Sequence, residues 1–202
     1  MSDDETNGRP HVREDLPPPA ELSPPPPSVA EALSACVRFV HAKYGVLLDG
    51  TSDTLSLLDQ YVRDARAEIA AKPAALELLA TSAGAYLGEV LRREYGAEWL
   101  AEGDPSGWRL LFTHVFLSFN PVGLAREALV CAEQEGWHAH LATDPAEQDG
   151  VMARLASLPA VDEDEYYLPS TRFDVVGIVF EHLRARMART GTADVTFTAD
   201  DY

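Results

Sequence analysis

Lysine is almost missing from this chain: Lys43 and Lys72 are the only two in 202 residues. Cysteine is as scarce, with Cys36 and Cys131 alone and far apart. Neither belongs to a CxxC pair, which argues against a zinc ribbon and a thioredoxin-like site. Both sit in apolar segments with helical spacing, so two reduced, core-facing thiols are expected. There is no GxGxxG and no GKS or GKT loop, which leaves Rossmann binding and nucleotide hydrolysis without support. There is no GxSxG elbow and no HExxH pair, so serine-hydrolase and zinc-protease chemistry are equally unsupported. No apolar run reaches the roughly 18 residues of a membrane span. Residues 1–10 are acidic and lack the apolar stretch of a secretory signal. A soluble, cytoplasmic protein is expected, with no cofactor.

What the chain has in excess is negative charge, a formal −17 at neutral pH. Such a surface repels nucleic-acid phosphates and anionic membranes at long range. The expected partner is a protein, and a basic one suits the charge. Arginine, alanine, glycine and proline, the residues of GC-rich codons, are frequent, which points to a bacterial genome.

Composition divides the chain into three. Eight of the fourteen prolines fall in residues 1–28, among acidic residues. That segment cannot bury enough apolar area to offset its ordering entropy, and it reads as a disordered, proline-rich arm. Residues 29–190 carry the core. Residues 191–202 read as an acidic, flexible tail.

Within the core, Ser28 with Glu31 looks like a capping box for a first helix ending near Gly45. A second helix is expected over 53–70, capped by Ser52, and a third over 74–95. After Gly96 the pattern turns to aromatic and aliphatic residues broken by turn signals at Gly103-Asp104-Pro105, which predicts a hairpin of two or three strands. Asn120-Pro121 should open a helix that ends at Gly136. Trp137–Ala142 reads as a short strand, 146–157 as a helix, 162–165 as an acidic loop, and 171–189 as the last helix. The sum is one helix-dominated α+β domain with a small antiparallel sheet.

The third helix carries Gly84 and Gly88, four residues apart on one face. Each glycine weakens a helix by roughly 1 kcal/mol relative to alanine, so close packing against that face is expected. Glu89 lies on the same helix, with Arg92 and Arg93 at i+3 and i+4, the favourable order for an ion pair. The pair reads either as structural or as a carboxylate held by arginine in a pocket.

Two further clusters stand out. His138 and His140 form an HxH, which on a strand would point both rings to one face. No third and fourth ligand pattern accompanies them, so no metal is expected there. Asp162, Glu163, Asp164 and Glu165 precede Tyr166 and Tyr167, an acidic stretch with aromatics at its edge that suits a basic protein partner.

Gly84, Tyr86, Gly88, Glu89, Val90, Arg92, Gly96 and Trp99, followed by Asn120 and Pro121 after the sheet, form a longer trace with the LDGT-like turn at 47–51. Over about residues 44–130 this trace resembles a group of uncharacterised bacterial proteins of unknown function. The resemblance implies a compact α+β fold and brings no activity with it.

These features lead to a cytosolic, non-enzymatic binding or accessory protein, adaptor or immunity-like, that presents an acidic surface to a protein partner. One alternative is a small-molecule or metal-dependent enzyme with a pocket near Glu89, Arg92, His138 and His140. Another is a structural subunit of an assembly, in which the chain is an oligomer.

Overall fold

The computed structural model describes residues 23–202. The proline-rich arm therefore lies outside the described residues as far as residue 22. Helix α1 (Pro27–Tyr44) begins at Pro27, whose fixed φ and missing N–H suit the first helical position. Ser28 is already inside the first turn, so the expected capping box does not form. Helix α2 (Leu55–Ala71) follows a single 3-10 turn at Ser52–Thr54. Asp49, not Ser52, organises this entry. Its Oδ1 accepts from the Thr51 nitrogen at 2.9 Å, Thr51 Oγ1 at 2.7 Å and Thr54 Oγ1 at 3.0 Å.

Helix α3 (Leu76–Tyr95) is the centre of the fold and is buried along most of its length. It packs chiefly against α1 and against α4 (Pro121–Val130). The segment Pro73–Tyr95 is long and apolar enough to cross a membrane by length and composition, and 67% of its apolar window is buried in the protein. A Cβ on Gly88 would overlap the Trp99 ring and meet Pro121 Cγ at 2.9 Å.

Four strands follow one another in an antiparallel sheet of order β1-β2-β3-β4. They are β1 (Ala97–Leu100), β2 (Arg109–Phe112), β3 (Leu117–Phe119) and β4 (Ala142–Thr143). Leu110 faces Phe119 across β2 and β3, and Leu117 faces Thr143 across β3 and β4. Phe112 and Phe119 carry the sheet's apolar side into a ring cluster with Tyr95 and Phe180.

Asn120 caps α4, its Oδ1 accepting from the Val122 nitrogen at 2.9 Å. The helix stops at Cys131, which adopts a left-handed φ of 54°, and not at Gly136 as expected. Trp137–Leu141 is irregular: His138 has a left-handed φ of 49°, and the Asn120 nitrogen donates to the His138 carbonyl at 2.9 Å. Only Ala142 and Thr143 reach the sheet. Helix α5 (Gln148–Ala156) comes next. The acidic stretch is a short helix, α6 (Glu163–Tyr166), and not a loop. The Asp162 carbonyl accepts from the nitrogens of Glu165 and Tyr166 and closes that turn. Helix α7 (Pro169–Thr190) completes the seven α-helices among the described residues.

Residues 191–202, expected as an acidic, flexible tail, make contacts with the rest of the domain. The Phe197 nitrogen donates to the Thr113 carbonyl at 2.8 Å, and Tyr202 stacks on Phe116 with ring centroids 4.6 Å apart. Arg184 Nη1 bonds the Ala193 carbonyl at 2.8 Å and so ties the tail to α7. Apolar rings at 197 and 202, spaced along an acidic background, anchor it to the β2–β3 turn.

Candidate functional site

Glu89 is the natural place to begin, because sequence alone marked it. Arg92 grips it through two hydrogen bonds, Nε to Oε2 at 2.8 Å and Nη2 to Oε1 at 2.9 Å. Arg93 Nε adds a third, to Oε1 at 2.9 Å. Burial pushes the Glu89 carboxyl upward, but the hydrogen bonds from Arg92 and Arg93 outweigh it and hold the group below the usual carboxylate range. Glu89 is 1% exposed. Beside it, the Tyr86 hydroxyl accepts from the Gly50 nitrogen at 2.9 Å and lies 2.7 Å from Thr54 Oγ1. This is an internal polar tie between α3 and the 47–54 turn, and neither Glu89 nor Arg92 lines the cavity described next.

That cavity, of about 360 Å³, opens between α4, α5 and α7, with α6 at one edge. Leu124, Val151, Met152, Leu155 and Val176 form its apolar walls. A buried ion pair crosses it: Arg172 Nη2 meets Glu127 Oε2 at 2.9 Å. Arg172 packs against two aromatic rings, its Cζ lying 4.0 Å from the Tyr166 centroid and 5.2 Å from that of Tyr167. The two rings are edge to face, 5.2 Å apart. Such contacts hold a guanidinium in one orientation. Burial raises the Glu127 carboxyl, against the opposing pull of Arg172.

Three buried side-chain polar atoms lack a hydrogen-bond partner among the described residues. Two of them, Thr143 Oγ1 and Arg172 Nε, belong to residues that line this cavity. Thr143 is 7% exposed and Arg172 9%. The third belongs to Trp99, which does not line it. A buried donor without a partner costs about 1–3 kcal/mol, so two beside one cavity need a reason.

The expected site residues thus part company. Tyr166 and His140 reach the cavity, while Tyr167 packs near Arg172 but does not line the cavity and is buried. His138 does not line it, and the expected HxH face is lost because the segment is not a strand. Asp162, Glu163, Asp164 and Glu165 lie exposed in the turn that carries Tyr166. Arg66 Nη2 bonds the Asp164 carbonyl at 3.3 Å, and Arg63 stands 4.0 Å from Glu165, which fixes α6 against α2. Among the described residues, no three His, Cys, Asp or Glu side chains are grouped to hold a metal ion. Of the residues expected in the alternative pocket, His140 lines this cavity, and Glu89, Arg92 and His138 do not.

Sequence reading missed Glu127, Thr143 and Arg172. A usable signal was present: Glu127 and Arg172 fall on the buried faces of their helices, with Leu124 and Ala128 around the first and Val176 beyond the second. A charge at a core position of an apolar stripe marks either a partner or a site.

The chain belongs to a family described as a family of unknown function (DUF6278), which matches residues 4–110. No curated protein and no solved structure matches the chain. The matched span contains the glycine-bearing α3 and the Glu89 cluster. The cavity is lined from Leu124 onward and lies outside it.

Proposed function

We propose that this is a cytosolic, non-enzymatic binding protein that docks a basic protein partner on the α6 edge of the cavity. The observation that carries this reading is the joining of charge and exposed apolar surface there. Asp162, Glu163, Asp164 and Glu165 sit in one turn beside Tyr166, which is 40% exposed, and across the opening stand Asp149 and Met152, the latter 64% exposed. Rigid aromatic and methionine surface supplies contact area, while acidic neighbours steer and select a basic partner. The net charge of −17 adds long-range attraction of the same sign. An adaptor or immunity-like role accords with such a surface.

The experiment is selection from a displayed random-peptide library on the whole chain. The expected winners combine Lys or Arg with an apolar residue and lose affinity several-fold in a Glu163→Lys, Asp164→Lys double variant and at high salt. Selection of acidic peptides, or of peptides indifferent to both changes, would reject the reading.

A further inference from the structure

We infer that the β2–β3 turn is a docking site for a short aromatic peptide and that a second copy of this chain supplies it: residues 193–202 fill the site of their own chain and exchange into that of a neighbour. This goes beyond the partner surface at α6 and stands without it. The seat has four parts. The Thr113 carbonyl accepts from the Phe197 nitrogen at 2.8 Å. The Phe116 ring meets Phe197 edge to face at 5.6 Å and Tyr202 in a parallel stack at 4.6 Å. The Tyr202 hydroxyl lies 2.7, 3.0 and 3.1 Å from the carbonyls of Phe112, Val115 and Leu117, and accepts from the Leu117 nitrogen at 3.1 Å. Arg184 Nη1 holds the Ala193 carbonyl at 2.8 Å. A phenol suits the third part because it carries a donor and an acceptor at the tip of a ring. The seat therefore reads an aromatic residue followed five positions later by tyrosine.

The segment that fills the seat is separable from the domain. Its last residues hold their own turn: the Thr198 nitrogen and Oγ1 donate to Asp201 Oδ2 at 2.8 and 3.0 Å, and the Asp201 nitrogen donates to the Thr198 carbonyl at 3.0 Å. A segment already shaped in this way loses less freedom on docking. Residues 194–196 and 198–201 are exposed, so the two rings are its main anchors. Gly191 ends α7 with a left-handed φ of 75°. The residues from there to position 196 reach about 20 Å when extended, so the anchors can leave the seat while α7 stays in place. The segment carries Asp194, Asp200 and Asp201 and no basic residue, on a chain of net charge −17, and like charge favours its opening. Reciprocal exchange between two copies reproduces every contact of the seat and closes a two-fold dimer. Within one chain the tether holds the segment at an effective concentration of millimolar order, so exchange emerges when the chain approaches that concentration or when the internal contact is disabled.

Two variants of the full chain separate the halves of this contact. The double change Phe197→Ala, Tyr202→Ala empties the seat and keeps the turn intact. Phe116→Ala removes the ring from the seat and leaves the segment free to dock elsewhere. By sedimentation each variant alone should be monomeric in the micromolar range, and their mixture should form a one-to-one complex. That complex should tighten with added salt, which screens the repulsion between two acidic chains, and should restore slow hydrogen exchange at the Leu117 amide. A second measurement needs only the empty-seat variant. A synthetic peptide of residues 193–202 should bind it saturably and should leave the wild-type chain untouched, because its seat is occupied. The same peptide with Tyr202→Phe should bind about three- to tenfold more weakly, as for the loss of one hydrogen bond. A mixture that stays monomeric, equal binding of the tyrosine and phenylalanine peptides, or peptide binding as tight to the wild type as to the empty-seat variant would each overturn the inference. None of these outcomes bears on the partner surface, which is scored at Glu163 and Asp164 and weakens with salt.

Discussion

Gly84 faces the first turn of α4 so closely that a Cβ there would meet the Val122 nitrogen at 2.7 Å. The Pro121 carbonyl stands at the same distance. Both neighbours are backbone, held in place by the Asn120 cap, so neither can swing aside. On an open helix face Gly→Ala stabilises by up to about 1 kcal/mol. Here Gly84→Ala should destabilise by about 1–3 kcal/mol through overpacking. Gly88→Ala should also destabilise, and it should shift Trp99 fluorescence because the new methyl displaces that ring. Urea midpoints decide the sign; two neutral or stabilised alanine variants would show that α3 and α4 can part without cost.

The Glu89–Arg92 pair should behave as a buried ion pair. Arg92→Met removes two of the three hydrogen bonds of a carboxylate that is 1% exposed and leaves it only Arg93, at an expected cost of up to about 3–5 kcal/mol. The double change Glu89→Leu, Arg92→Met should recover much of that loss, since well-packed apolar groups often replace such pairs without penalty. A double variant no better than Arg92→Met would contradict the assignment.

Stability should decline with acid in two stages. The His114 ring is held below its ordinary 6.5 by burial and by Arg184, so the unfolded chain takes that proton first. Its contribution begins to fade once the pH falls below about 6.5. Glu89 titrates near 4.5 when unfolded and lower when folded, so its contribution is complete above 4.5 and is lost as the pH falls through the folded value. Urea midpoints across this range should drop in both windows. His114→Gln should flatten the upper stage and Glu89→Gln the lower; an unchanged profile in either variant removes that group from the account.

Tyr202 locks the tail. Its hydroxyl lies 2.7 Å from the Phe112 carbonyl and accepts from the Leu117 nitrogen at 3.1 Å. Burial pushes the phenol up to about 12. Tyr202→Phe leaves the ring stack with Phe116 but strands the Leu117 N–H, so a loss of about 1–3 kcal/mol is expected. Hydrogen exchange at Leu117 should accelerate more than at Leu110. Equal exchange in the two proteins would mean that the tail does not hold the turn.

The two thiols should differ in reactivity. Cys36 is fully buried and its thiol is pushed up to about 12 by burial, whereas Cys131 is partly exposed at the end of α4. A disulfide-exchange reagent should label one thiol in the folded chain and the second only on unfolding. Labelling of Cys36 under native conditions would place the α1–α3 contact open to solvent.

Most of the fold was legible in local pattern. The stripes of α2, α3 and α7, the turn at Gly103–Pro105 and the Asn120-Pro121 entry to α4 are properties of neighbouring residues, and they were readable as such. Two of the differences lie where a distant group bonds a backbone atom. The Asn120 nitrogen donates to the His138 carbonyl, whose residue has a left-handed φ of 49°, and the Phe197 nitrogen donates to the Thr113 carbonyl, which ties the last residues to the sheet.

The candidate site divides along the same line. The sequence by itself determined the acidic surface, the tyrosine edge, the ion pair on α3 and the two glycines, because charge, aromaticity and helical spacing are local facts. Only tertiary structure decided that Glu89 is sealed inside and that Glu127 and Arg172, 45 residues apart, meet across a cavity. Partner choice for a charged group on an apolar helix face depends on which second helix arrives there. That is set by the packing of α4, α5 and α7 together, and no spacing along one helix encodes it.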